Sequence, residues 1–425
     1  MILPSFPGRV SLRKFGSTFF GSTSREKNLL ARVKVRWWLF IARRKRKHEQ
    51  CAEALEVLHK VIAAQPQRAL AFVEAGYCLA RLDRHEEALR SYARALEIAP
   101  NYGEAHAYIG LTYYGLGRYR EALESLNRAI RMQPSLMAQP HWLHMLGLAS
   151  GHAEQWEQSL AAFTKLTEAN ANNGSAWHGL GWALANLNRD SEALAPLQRG
   201  IQLEPQNVSA HHDLGNSYFK LQRFNEAAEQ FQECIRLKPN DPAGHHSLGM
   251  SYCQLGGFAL AVEPFRRALS LGPEFAEVYV TLGQVYGELG QNEKAMLAAQ
   301  DALRLDPNDA DAYLLLGRAL RESGTLLEAV AAYEKSIELK PGQVHVLAYL
   351  GDAYFELGRL EEAREILSHT SGVSLNDPKF QYFLAELYLN LGMREEASRE
   401  HEALKKLDPS LAEALTVLLG SPPRS

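Results

Sequence analysis

A chain of 425 residues with 46% hydrophobic and 22% charged residues reads as soluble and folded, since it carries enough apolar surface to build a core. No apolar run approaches the ~18 residues needed to span a bilayer, and four scattered cysteines without a CxxC pair speak against a disulfide framework or a zinc site. The formal charge of −3 hides an asymmetry: residues 1–48 hold 13 Lys and Arg against one acid, Glu26, leaving 33 basic and 48 acidic residues in the rest.

Residues 1–34 read as a basic, disordered extension. MILPSFPGRVSLRKFGSTFFGSTSREK has Pro, Gly and Ser throughout and little helical pattern. Its composition suits an organellar transit peptide as well as a plain basic tail, and it lacks the apolar core of a secretory signal. Residues 29–47 support two readings. Leu30, Val33, Trp37, Phe40 and Ile41 share one helical side among Arg32, Arg36, Arg43 and Arg44, as in a helix lying on a membrane interface or an acidic partner. Arg36, Trp37, Arg43 and Arg44 are the candidate contacts. RRKRK also fits a nucleic-acid or nuclear-import patch. Alternatively, Trp38, Ile41 and Ala42 with Ala54, Leu58 and Ile62 form a degenerate first helix pair over 35–68, in the 34-residue frame set by the rest of the chain.

That frame comes from Pro66, Pro100, Pro134, Pro205, Pro239, Pro273, Pro307, Pro341 and Pro409, most of them 34 apart. Internal repetition at this period signals a stack of small units. His211–Pro239 is the clearest copy. Leu214, Gly215 and Tyr218 mark a first helix; Ala227, Phe231 and Ile235, spaced by four, mark a second. Leu221-Gln-Arg turns between them, and Pro239 stops the second helix because it has no backbone N–H to donate. Gly or Ala where the helices cross permits close approach, and Gly117 suits a left-handed turn.

The segment matches W-x2-L-G-x2-Y…A-x3-F…P, and over roughly residues 35–411 the chain resembles the tetratricopeptide repeat (TPR) family. The resemblance implies an all-α fold: a TPR α-solenoid, a right-handed superhelix of antiparallel helix pairs. Ten repeats are expected over 69–411, with a capping helix and tail over 412–425. Three extra residues near 137–139 put the third full repeat out of step, Ser159 replaces its Ala, and Ala171 replaces its Pro. Pro196 and Pro264 fall inside second helices, and Leu375 takes a phase-Pro position.

No motif for catalysis or for a cofactor is present: there is no GxSxG, P-loop or HExxH. In TPR proteins the concave face is lined mainly by first helices. Three residues before the phase Gly, the chain has His144, His178, His212 and His246 in four consecutive repeats. One turn on from three of these lie Trp182, Asn216 and Met250, with Phe219 nearby. The ladder reads as repeat inheritance, as a peptide-binding strip, or as a metal or pH-sensing site. Metal is the least favoured, because helices stack about 8–10 Å apart whereas ligands must reach ~2 Å. The Lys, Asn and Arg carboxylate clamp of chaperone-cofactor TPR domains has only Asn216 and Lys220 as counterparts.

The expected function is a non-catalytic protein–protein interaction scaffold, cytoplasmic and without cofactor, holding a partner peptide or helix in its groove. The alternatives are a membrane-peripheral adaptor anchored by 29–47, with an organellar or membrane-peripheral location, or the regulatory arm of an enzyme complex. Nucleic-acid contact through the basic head is a further, weaker alternative.

Overall fold

A computed structural model describes residues 24–48, 50–272, 276–370 and 377–420. Residues 1–23, the side chain of Leu30, Pro273, Leu375 and the SPPRS end lie outside the described residues. Every regular element described is a helix. Two compact units divide the chain, residues 1–205 and 206–425.

The first unit contains α1 (Ser24–Lys47), α2 (Cys51–Ala64), α3 (Ala69–Arg81), α4 (His85–Ile98), α5 (Gly103–Gly115), α6 (Tyr119–Met132), α7 (Pro140–His152), α8 (Trp156–Ala169), α9 (Gly174–Asn186) and α10 (Asp190–Leu203). The second contains α11 (Val208–Lys220), α12 (Phe224–Leu237), α13 (Pro242–Gln254), α14 (Phe258–Leu271), α15 (Ala276–Glu288), α16 (Asn292–Leu305), α17 (Ala310–Glu322), α18 (Leu326–Leu339), α19 (Val344–Glu356), α20 (Leu360–Ser368), α21 (Pro378–Asn390), α22 (Arg394–Leu407) and α23 (Pro409–Gly420). Consecutive odd and even helices pack as hairpins, and within each unit neighbouring hairpins stack. α23 packs on α22 at the far end of the second unit.

Glycine fixes how tightly a hairpin closes. A methyl group on Gly215 of α11 would lie 2.7 Å from the Phe231 ring of α12, and one on Gly317 of α17 would lie 2.5 Å from Tyr333 of α18. The ring therefore rests directly on the facing backbone. Phe231 is 1% exposed, so its burial contributes about 1.5–3 kcal/mol. Ser159, the deviation from Ala, is fully buried, and its hydroxyl donates to the Gly147 carbonyl at 2.8 Å. The polar group is thus satisfied without loosening the hairpin.

From α3–α4 onward, the turn inside each hairpin has one left-handed residue. Asp83, Gly117, Glu154, Asn188, Gln222, Gly256, Gly290, Gly324, Gly358 and Gly392 all have φ between 57 and 80°. Six are glycine, which adopts this region freely; Asp and Asn tolerate it, while Glu and Gln do so at a cost. The turn is closed by Arg118 N–H donating to Tyr113 O, and by Arg223 N–H donating to Tyr218 O, both at 2.9 Å. The same arginines lie over those tyrosine rings, at 4.5 and 4.6 Å, and pair with Glu121 and Glu226 three residues on. One turn residue follows another after 34 positions, except from Gly117 to Glu154, which takes 37. The extra length appears as a 3-10 turn over Pro134–Ala138, between α6 and α7.

Second helices other than α20 end in an extended residue, whereas His369 after α20 stays near-helical (φ −76°, ψ −11°). Ala99 (φ −137°, ψ 85°) and Lys238 (φ −139°, ψ 78°) precede prolines, which disfavour helical geometry one residue upstream. Asn170 adopts the same conformation (φ −150°, ψ 94°) before Ala171, so the turn forms without proline. Asn173, Asn207, Asp241, Asp309 and Asp377 then cap the next first helices, each side chain accepting a backbone N–H. Pro196 and Pro264 stay within α10 and α14.

α1 begins at Ser24, eleven residues ahead of the boundary expected at 35, so the extension and the first hairpin overlap. Its inner side is Val35, Leu39 and Ala42, buried among Cys51, Ala54, Leu55 and Leu58 of α2. Trp38 and Ile62 pack at the margin of this core.

Candidate functional site

The four ladder histidines sit on first helices and are half-buried. In the first unit, His144 of α7 meets Phe163 of α8 edge-on at 5.7 Å. Burial pushes its imidazole below the ordinary value; the charge of Glu204 opposes this, and His178 adds to it. His178 of α9 runs beside Gly200 of α10, where the backbones come so close that a side chain on residue 200 would lie 3.0 Å from His178 N. In the second unit, His212 and His246 tilt against Phe231 and Phe265 at 5.7 and 5.8 Å. The ladder position was expected to lie off the core stripe. Three of these imidazoles instead lean on the aromatic ring that fills their own hairpin.

Trp182 was also expected on the groove. It belongs to a cluster of rings in the first unit, half-buried except for the exposed His152. Trp182 meets Trp156 edge-on at 4.9 Å and His152 at 5.2 Å. His152 stacks on Tyr119 at 4.6 Å, and Tyr114 closes the group.

The second unit brings most of its expected residues together. Asn216 donates from its amide to His212 Nδ1 at 3.2 Å. Asn216, Phe219, Phe231, His246, Ser247 and Met250 line a hollow of about 160 Å³ between α11 and α13. The Phe231 and Phe219 rings and the Met250 thioether give it apolar walls; Asn216, Ser247 and His246 bring polar groups. His246 Nε2 is buried without a hydrogen-bond partner, and burial pushes this imidazole below its ordinary value, against the charge of Glu277. A buried polar atom left unpaired is costly unless a ligand or water satisfies it.

One position upstream of the ladder lies a set of side chains that sequence reasoning passed over. His245 Nε2 donates to the Pro239 carbonyl at 2.9 Å, and Trp177 Nε1 donates to the Ala171 carbonyl at 2.9 Å. His106 likewise meets the carbonyl of Pro100. Each ring N–H thus ties a first helix to the turn before it. The signal was present as a donor-bearing ring six residues after the phase-Pro position. His211, the other neighbour, holds Gln230 Oε1 through Nδ1 at 2.9 Å.

At the N-terminal end, Arg43 and Arg46 of α1 both hold Glu74 of α3, at 2.8 and 2.7 Å. Arg43 was expected to face a partner; it is engaged within its own chain. Arg36, Trp37 and Arg44 are exposed.

Models of the tetratricopeptide repeat match residues 67–135, 144–208, 280–344 and 320–381, and a TPR repeat model matches residues 215–256. The chain belongs to the tetratricopeptide repeat family. Its fold is the all-α TPR solenoid, and TPR arrays in general are scaffolds for protein interaction. No curated protein matches the sequence. Among solved structures, YrrB, a TPR protein with an unusual peptide-binding site, is similar at 23% identity and a TM-score of 0.41, over 44% of this chain and 96% of that one. The APC/C hetero-tetramer Cut9–Hcn1 is similar at 15% identity and a TM-score of 0.48, over 90% of each chain. PilF of Pseudomonas aeruginosa is similar at 20% identity and a TM-score of 0.42, over 49% of this chain and 96% of that one.

Proposed function

We propose that this TPR protein is a non-catalytic scaffold that holds a segment of a partner protein on its first-helix face. The hollow between α11 and α13 carries this reading. It is about 160 Å³, with walls from Phe219, Phe231 and Met250 and polar groups from Asn216, Ser247 and His246. An apolar side chain of a bound peptide enters it, and the peptide backbone meets the polar groups of Asn216 and Ser247. In the first unit, the equivalent first-helix positions are those of His144, His178 and Trp182.

The test selects peptides from a randomised library on the full chain and measures their affinity by calorimetry. Asn216→Ala together with Met250→Ala removes one polar and one apolar contact and is expected to weaken binding about tenfold or more, a loss of about 1.4 kcal/mol. Unchanged far-UV circular dichroism shows that the fold persists. Equal affinity for the wild type and this variant overturns the assignment.

A further inference from the structure

α1 has two apolar faces, and the hairpin core uses one. Val35, Leu39 and Ala42 are buried at 2, 6 and 2% exposure. On the opposite side Val33, Trp37 and Phe40 stand 56, 53 and 56% exposed. Steps of four and three residues place them in one row along the helix. Trp37 and Phe40 stack on each other, ring centroids 5.8 Å apart at 26°. Nothing in the packing of α1 on α2 needs this row.

The charges beside the row are equally one-sided. Arg32, Arg36 and Arg44 are exposed. Their neighbours are engaged: Arg43 and Arg46 on Glu74, Lys45 on Glu53, and Lys34 over the Trp38 ring. From Lys27 to His48 the sequence has no acidic residue. Among the described residues no helix is long and apolar enough to cross a membrane. An exposed aromatic row with cations beside it suits a helix lying in the plane of a lipid interface, rings at the acyl boundary and guanidinium groups among the phosphates.

We infer that α1 docks this protein on an anionic phospholipid surface through Val33, Trp37 and Phe40, with Arg32, Arg36 and Arg44 on the headgroups. The row projects from the side of α1 opposite its packed face, so a plane of lipid accommodates it where a protein partner would need a matching groove. The excess of positive charge selects an anionic surface over a neutral one. Each cation near such a surface strengthens binding about fivefold.

The experiment is co-sedimentation of the full chain with vesicles of phosphatidylcholine, alone and mixed with phosphatidylglycerol. Two double variants are compared with the wild type, Trp37→Ser/Phe40→Ser and Arg36→Ala/Arg44→Ala. All four side chains are exposed, so thermal unfolding is expected to be unchanged. The wild type is expected to bind the mixed vesicles at least tenfold better than the neutral ones. The arginine variant is expected to lose about 25-fold on mixed vesicles, and the aromatic variant to lose binding to both. Failure of the wild type to bind the mixed vesicles overturns the inference, as does equal sedimentation of the wild type and both variants. A wild type that passes over vesicles, but self-associates or binds DNA through the same four residues, also overturns it.

Discussion

Alanine in place of Gly215 or of Gly287 tests how the hairpins close. Both glycines lie in first helices, where helix propensity alone favours alanine by up to about 1 kcal/mol. At Gly287 of α15 nothing stands within 4 Å of the new methyl group, so that gain acts unopposed. At Gly215 the methyl would lie 2.7, 2.9 and 3.0 Å from Cε1, Cζ and Cδ1 of Phe231. Carbon pairs rest at about 3.5–4.0 Å, so α11 and α12 must part by about 1 Å or the ring must turn. The ring has little room: it is 1% exposed, with the His212 imidazole beside it. Overpacking of this kind costs about 1–3 kcal/mol. The two variants should therefore differ by about 2 kcal/mol, Gly287→Ala at or above the wild type and Gly215→Ala below it. Urea unfolding followed by far-UV circular dichroism reads the difference. A nearest-neighbour repeat model suits the fit better than a two-state one, because stability in such an array is distributed over hairpins. If Gly215→Ala is as stable as the wild type, the ring does not set the hairpin spacing.

Ala171→Pro should stabilise the chain by about 0.4–1 kcal/mol, since Asn170 is already extended and the unfolded chain loses freedom; a lower urea midpoint refutes this. Burial pushes His106, His141, His144 and His152 below the ordinary 6.5, so the folded first unit takes up protons less readily than the unfolded chain. Stability is then fully present above pH 6.5 and falls as pH drops below it, whereas the arginine-paired carboxylates, such as Glu87 and Glu121, act only below 4.5. Thermal midpoints between pH ~7.5 and ~5.5 should show this loss, and His144→Gln should reduce it; a flat profile refutes the assignment.

The hairpins were legible because their spacing is a packing requirement. Gly215 and Phe231 must meet across one contact, and that demand recurs every 34 residues. The hollow was partly legible: spacing together with the TPR resemblance put Asn216, Phe219, His246 and Met250 on one face. Periodicity gave the direction of the histidines only approximately, because it does not reveal that Phe231 and Phe265 lie close enough to draw His212 and His246 inward. It also missed the caps. Asn207, Asp241 and Asp309 follow the phase Pro by two residues each, a signal that local hydrogen bonding explains. In α1 the two readings of the sequence are compatible. The exposed and buried rows lie on opposite sides, so the helix can complete the first hairpin and still present Trp37.

The 37-residue step from Gly117 to Glu154 has a consequence of its own. α6, α7 and α8 keep 14, 13 and 14 residues, so all of the added length is taken up in the short turn at Pro134–Ala138. The junction between hairpins thus takes extra residues, provided that Leu136, buried in the core beneath the turn, keeps its place. A foreign loop or epitope grafted there would leave both flanking contacts, Leu126 on Gly110 and the Phe163 ring on Gly147, in register, whereas the same graft inside a hairpin would displace the left-handed residue on which the turn depends.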